Sequence, residues 1–105
     1  MLISPSIASS DLLHLEEETV FAAHHFGQIH IDIEDGTIVP NITMGMKVCQ
    51  EVCERWKDAY RSLHLSVLEP LKYLERVKKC KADIVFLALN HPEHPCEVLE
   101  AYLAE

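Results

Sequence analysis

Apolar residues gather into four short runs, Leu2 to Ile7, Gln28 to Ile33, Tyr60 to Val67 and Asp83 to Leu89. Between the runs they recur at the spacing of a helix's buried face. The pattern predicts strand then helix, four times over. In the first helical stretch Leu12, Leu15, Thr19, Ala22, Ala23 and Phe26 share one face, Ser9 or Ser10 stands where a cap is needed, and Gly27 stands where a helix ends. The second runs from about Thr43 to Trp56, with Val48, Val52 and Trp56 inward. In the third, Pro70 suits a first helical position ahead of Leu71, Leu74 and Val77, and in the fourth Pro95 does the same ahead of Leu99, Tyr102 and Leu103.

Short strands alternating with helices of this length predict an α/β fold with a parallel sheet and right-handed crossovers. Two architectures fit, an open doubly wound sheet or a (βα)4 half of an eight-stranded β/α barrel. The chain stops at Glu105 inside a helical pattern, with no Gly or Asn cap and with an acid at the negative end of the helix dipole. A half-barrel would leave both edge strands unpaired and its inner face open. The expectation is one unit over residues 1–105 that is the N-terminal half of a chain about twice as long, or two copies that pair as a homo-oligomer to complete the layer.

Composition narrows the partners. With 49% hydrophobic and 25% charged residues, the 105-residue chain has the make-up of a soluble globular domain. It is long enough to bury somewhat under about 70% of its unfolded surface. A net charge of −8 argues against nucleic acid, whose partners cluster Lys and Arg to release counterions. No apolar run reaches eighteen residues and the N-terminus MLISPSIASS lacks a basic segment, so a membrane span and a secretory signal are not expected. A cytoplasmic setting follows as the expectation. Cys49, Cys53, Cys80 and Cys96 lack the paired spacing of a zinc ribbon and read as buried small hydrophobes.

The candidate chemistry lies in QIHIDIEDG, residues 28–36. Alternation along a strand turns Ile29, Ile31 and Ile33 one way and His30 and Asp32 the other. In a barrel the isoleucines would pack under the helices, and His30 and Asp32 would project inward near the strand's C-terminal end, where such barrels place their chemistry. The third run supplies His64 at a comparable depth. Two imidazoles and a carboxylate on neighbouring strands make a partial site for one divalent metal ion, zinc or else iron or manganese, with a further ligand needed. The alternative is that each is a hydrogen-bonded core residue. Of the remaining polar features, His91-x-x-His94 with Cys96 reads as a turn and helix cap rather than a metal site. His24 and His25 suit a helix C-terminus. Glu16 to Glu18 and the cluster Lys72, Arg76, Lys78, Lys79 and Lys81 read as solvated helix faces.

The runs SPSIASSDL, IHIDIEDGTIVPNITMG, LHLSVLEPLKYLE and ADIVFLALNHPEHP, in this order, resemble the N-terminal half of the ribulose-phosphate 3-epimerase family. Asp35-Gly36-x-x-Val39-Pro40-Asn41-Ile42-Thr43 behind the His-x-Asp pair is the most specific element. The resemblance implies a β/α barrel of the ribulose-phosphate-binding type. It implies an isomerase of carbohydrate metabolism that inverts the carbon beside the carbonyl of a ketose phosphate, through an enediolate and with one divalent metal. By resemblance His30, Asp32 and His64 are three of four metal ligands, Asp32 is also one of two acid/base carboxylates, and Ser6 and His64 contact substrate. The second carboxylate and the phosphate-holding loops would belong to a C-terminal half, so the isolated chain is expected to be inactive.

Three departures bear on the substrate. Glu34 and Ser66 stand where the family usually has methionine, and Leu87-Ala88-Leu89 replaces a common His-Ala-Glu. The resemblance implies a ketose phosphate such as ribulose 5-phosphate, and the more polar pocket points to another sugar phosphate, such as a hexulose phosphate, or to a diverged paralogue with weak or no activity. A decarboxylase of the phosphate-binding barrels fits less well, because those place lysines around the strand acids and QIHIDIEDG has none. From a different class, a non-catalytic half-barrel that self-associates or only binds metal remains the alternative.

Overall fold

The computed structural model describes residues 3–88 and 95–103. Three parallel strands, β1 (Gln28–Glu34), β2 (Tyr60–Ser66) and β3 (Ile84–Leu87), form one sheet in the order β1-β2-β3. Four helices, α1 (Leu15–Phe26), α2 (Met46–Arg55), α3 (Leu74–Cys80) and α4 (Pro95–Leu103), alternate with them. This is the α/β pattern of a partial β/α barrel. No helix among the described residues is long and apolar enough to cross a membrane.

The alternation expected of residues 28–34 holds. Ile29, Ile31 and Ile33 are fully buried beneath the helices together with Leu63 and Leu65 of β2, while His30, Asp32 and Glu34 are half-buried on the opposite face. Among the described residues helices cover one face only. On the other, Ile84 and Phe86 of β3 remain exposed, in register with Ser62 and His64. The sheet thus has an oily back and a half-polar front, and the front carries the candidate chemistry.

The first expected strand is reduced to a single residue. Ser6 makes an isolated parallel bridge to His30, and the Pro5 carbonyl accepts from the His30 N–H at 3.1 Å. Pro5 has no N–H to extend the ladder, and Ile7–Ser9 turns at once into a 3-10 helix. Leu2 lies outside the described residues. At the other end the fourth run forms strand only to Leu87, and Leu89, His91 and His94 lie outside the described residues.

Helix starts also differ from expectation. Ahead of α1 the chain makes a 3-10 turn, Leu12–His14, and the carboxylate of Asp11 rather than Ser9 or Ser10 accepts from its first turn, at Leu13. Helix α2 begins at Met46 and not Thr43, because Thr43 is used to fasten the chain to β1. In α4 the buried residue is Val98, whereas Leu99 and Leu103 are exposed. Cys49, Cys53 and Cys80 are buried as expected, but Cys96 is exposed. Lys72, Arg76, Lys78, Lys79 and Lys81 are exposed, as a solvated helix face requires.

Gly27 ends α1 in the left-handed region at φ 67°, its N–H bonded to the Ala23 carbonyl at 3.0 Å. An added Cβ would meet nothing within 4 Å, so only backbone strain opposes a side chain there. Gly27→Ala should therefore lower stability by about 1 kcal/mol in urea denaturation with an unchanged slope. Equal midpoints would refute the left-handed cap.

Candidate metal centre

Register builds the site. The β1–β2 pairing sets Asp32 opposite His64 and His30 opposite Ser62, so alternation puts all four side chains on the open face of the sheet. The His30 Nε2 lies 3.1 Å and the His64 Nδ1 3.0 Å from the same oxygen of Asp32, Oδ1. The other oxygen, Oδ2, accepts from the Ser6 hydroxyl at 2.5 Å. Each of His30, Asp32 and His64 offers a ligand atom, and these atoms lie within 4.8 Å of one another. The structure therefore brings together Ser6, His30, Asp32 and His64, the four residues that the sequence singled out.

Electrostatics favours the ionised carboxylate. Burial alone would push Asp32 up. The Ser6 hydrogen bond, the charge of His30 and the hydrogen bonds of both imidazoles outweigh it and hold the carboxyl below its ordinary value. The Asp32 side chain is 24% exposed and that of His64 44% exposed, so the group is open to a ligand from the front of the sheet.

Three supporting residues escaped the sequence. The Ser62 hydroxyl lies 2.7 Å from His30 Nδ1, leaving Nε2 directed at Asp32. Its place two residues before His64, on the same face, was the available signal. Phe86 is the second: its ring stands edge-on to those of His30 and His64, with centroids 6.3 and 6.5 Å away, and forms an apolar wall. Thr43 donates to the Asp32 carbonyl at 2.7 Å and accepts from the Glu34 N–H at 3.2 Å, tying the loop after β1 back onto the strand.

That loop carries the Asp35-Gly36 motif. Asp35 accepts from the Thr37 N–H and hydroxyl and from the Tyr73 hydroxyl at 2.7 Å, while the Thr37 hydroxyl accepts from the Leu68 N–H. The loops after β1 and β2 are thereby joined at the rim of the site. Burial, with the hydrogen bond to Asp35 and its negative charge, pushes the Tyr73 hydroxyl up to about 12. It remains a donor at any physiological pH.

Comparison with known proteins identifies the family. The sequence model of the ribulose-phosphate 3 epimerase family matches residues 2–103. The chain belongs to that family. It is 36% identical over 97 residues to the ribulose-phosphate 3-epimerase of Synechocystis sp., a match covering 90% of this chain and 41% of that protein. With the Helicobacter pylori ribulose-phosphate 3-epimerase it shares 30% over 100 residues, 95% of this chain and 45% of the relative. With the cytoplasmic isoform from Oryza sativa it shares 38% over 82 residues, 77% and 36% respectively. The chain thus spans less than half the length of these relatives.

The lowered Asp32 has a consequence for acid stability. A depressed carboxylate stabilises the fold above the unfolded-state value of about 3.9, and that contribution disappears as pH falls through the lower folded value. Acid titration should therefore show wild type losing stability more steeply than Asp32→Asn below about pH 4. Parallel curves for the two proteins would refute the assignment.

Proposed function

We propose that this chain is the N-terminal half-barrel of a sugar-phosphate 3-epimerase, holding one divalent cation on His30, Asp32 and His64. The convergence of two imidazole nitrogens on one carboxylate oxygen supports it most directly. Two imidazole nitrogens and a carboxylate oxygen form a donor set that zinc, iron and manganese accept, and the serine behind each of His30 and Asp32 holds those ligands in place.

A bound cation supplies positive charge where a carbonyl oxygen gains negative charge as the neighbouring C–H bond breaks. The chain's own residues do the rest of this half of the reaction. Asp32, ionised at neutral pH, accepts the proton, and Ser6 fixes the carboxylate by holding Oδ2. His64, the most exposed of the three, faces the substrate side, and Phe86 limits water beside it. Inversion also needs a proton carrier on the opposite face of the planar intermediate. By family resemblance that second carboxylate, the fourth ligand and the phosphate-binding loops belong to the other half of the barrel.

The substrate is proposed as a ketose phosphate, ribulose 5-phosphate or a hexulose phosphate. Glu34 and Ser66 follow Asp32 and His64 by alternation and add polar wall to the pocket, Glu34 accepting from the Asn41 amide at 3.3 Å. Completion of the layer, by further chain or by a second copy, is supported by the exposed Ile84 and Phe86 on the front of the sheet. Size-exclusion chromatography of the 105-residue chain should show self-association, and a stable, folded monomer would count against pairing.

Two measurements test the site. Metal analysis should find one equivalent of zinc, iron or manganese, with affinity reduced at least about 10-fold in His30→Ala and in His64→Ala; a folded protein that binds none overturns the metal site. Ribulose 5-phosphate turnover by the 105-residue chain should be negligible. Metal-dependent turnover that Asp32→Asn abolishes would show that no second half is required.

A further inference from the structure

On the back of the sheet, away from the proposed epimerase centre, three cysteines from two helices meet. Cys49 and Cys53 are one helical turn apart on α2, and Cys80 is the last residue of α3. Their sulfurs lie within 4.8 Å of one another, with Cys49 Sγ and Cys80 Sγ 3.8 Å apart, and all three residues are at most 4% exposed. Packing alone would explain one or two such thiols. It does not explain the charge placed against them.

Arg61, at the start of β2, is 8% exposed and extends into the same region. Its guanidinium donates to the carbonyls of Cys53, Cys80 and Lys81 at 3.0 to 3.1 Å, and its Nε is buried with no hydrogen-bond partner. Among the described residues no carboxylate forms an ion pair with it; Asp83 accepts from its backbone N–H instead. A buried cation without an anion is costly. An anionic group at the three sulfurs would relieve that cost.

We propose that Cys49, Cys53 and Cys80 form a binding site for a soft monovalent d10 cation, copper(I). Thiolate donors select copper(I) and zinc among biological metals. Zinc in a closed site takes four ligands, and among the described residues these three sulfurs have no fourth donor grouped with them. Three sulfurs in a dry core suit the lower coordination number of copper(I). Binding is a ligand exchange without redox change: two thiols lose their protons and bond to the metal, the third coordinates as a thiol, and two protons leave. The centre then carries one negative charge, which the Arg61 guanidinium offsets. Cys80 ends its helix beside Lys81, a left-handed residue at φ 51°, and fraying of that terminus admits the ion.

The test is anaerobic titration of the reduced 105-residue protein with copper(I) against a chromophoric copper(I) chelator, joined to X-ray absorption of the product. One equivalent should resist the chelator and show three sulfur neighbours. Binding should persist in Cys96→Ser and in the His30→Ala/His64→Ala double variant, and weaken at least about 100-fold in Cys53→Ser. The sulfur count of wild type stands even where a cysteine variant fails to fold. Release of copper(I) to the chelator by folded, reduced wild type overturns the proposal, as do nitrogen neighbours, only two sulfurs, or tight binding of zinc but not of copper(I).

Discussion

The parallel register of β1 against β2 is the constraint on which the other features depend. Setting Ile31 beside Leu63 makes the back of the sheet continuous and apolar, and the same register sets Asp32 beside His64 on the front. The two cannot be varied separately. A slip of one residue would move the isoleucines to solvent and the imidazole and carboxylate under the helices, exposing apolar area and burying charge in one step. The hydrophobic cost of a slip therefore protects the geometry of the site.

Around that register the chain spends its polar groups in a consistent way. Ser6, Ser62 and Thr43 each donate to or hold a group on the front of β1, and none of them needs a charge to do so. Asp35, Thr37 and Tyr73 link the loops above the same strands. An ionised carboxylate with two imidazoles on one oxygen is a poor way to stabilise a core, since aliphatic residues would do as well at lower desolvation cost. It is a good way to hold three donors ready for a cation. The back of the sheet poses the opposite problem at Arg61, where a cation is buried and the nearby side chains are three thiols.

Much of this is legible in the sequence. Isoleucines at alternate positions of QIHIDIEDG fixed which way His30 and Asp32 face, because a strand's period is two whatever surrounds it. Gly27 and Pro95 marked a helix end and a helix start for local steric reasons that survive in the fold. Less legible was whatever depended on a second segment. Residues 3–7 have the composition of a strand yet contribute only one bridge, since Pro5 has no donor and the chain turns at Ile7. Leu99 and Leu103 fit a helical stripe but lie exposed, because the stripe predicts a face and not what covers it.

The sequence by itself determined the alternation of helices and strands from α1 onward and the faces on which His30, Asp32 and His64 lie, because these follow from periodicity and local residue chemistry, while its motifs carried the resemblance to a family. Only the tertiary structure decided that His30 and His64 meet at one oxygen of Asp32, that Ser62 rather than a carboxylate stands behind His30, and that Cys49, Cys53 and Cys80 converge beside Arg61. Those are contacts between segments tens of residues apart. Strand register and the angle at which helices cross the sheet set them, and neither is written in the spacing of any one segment.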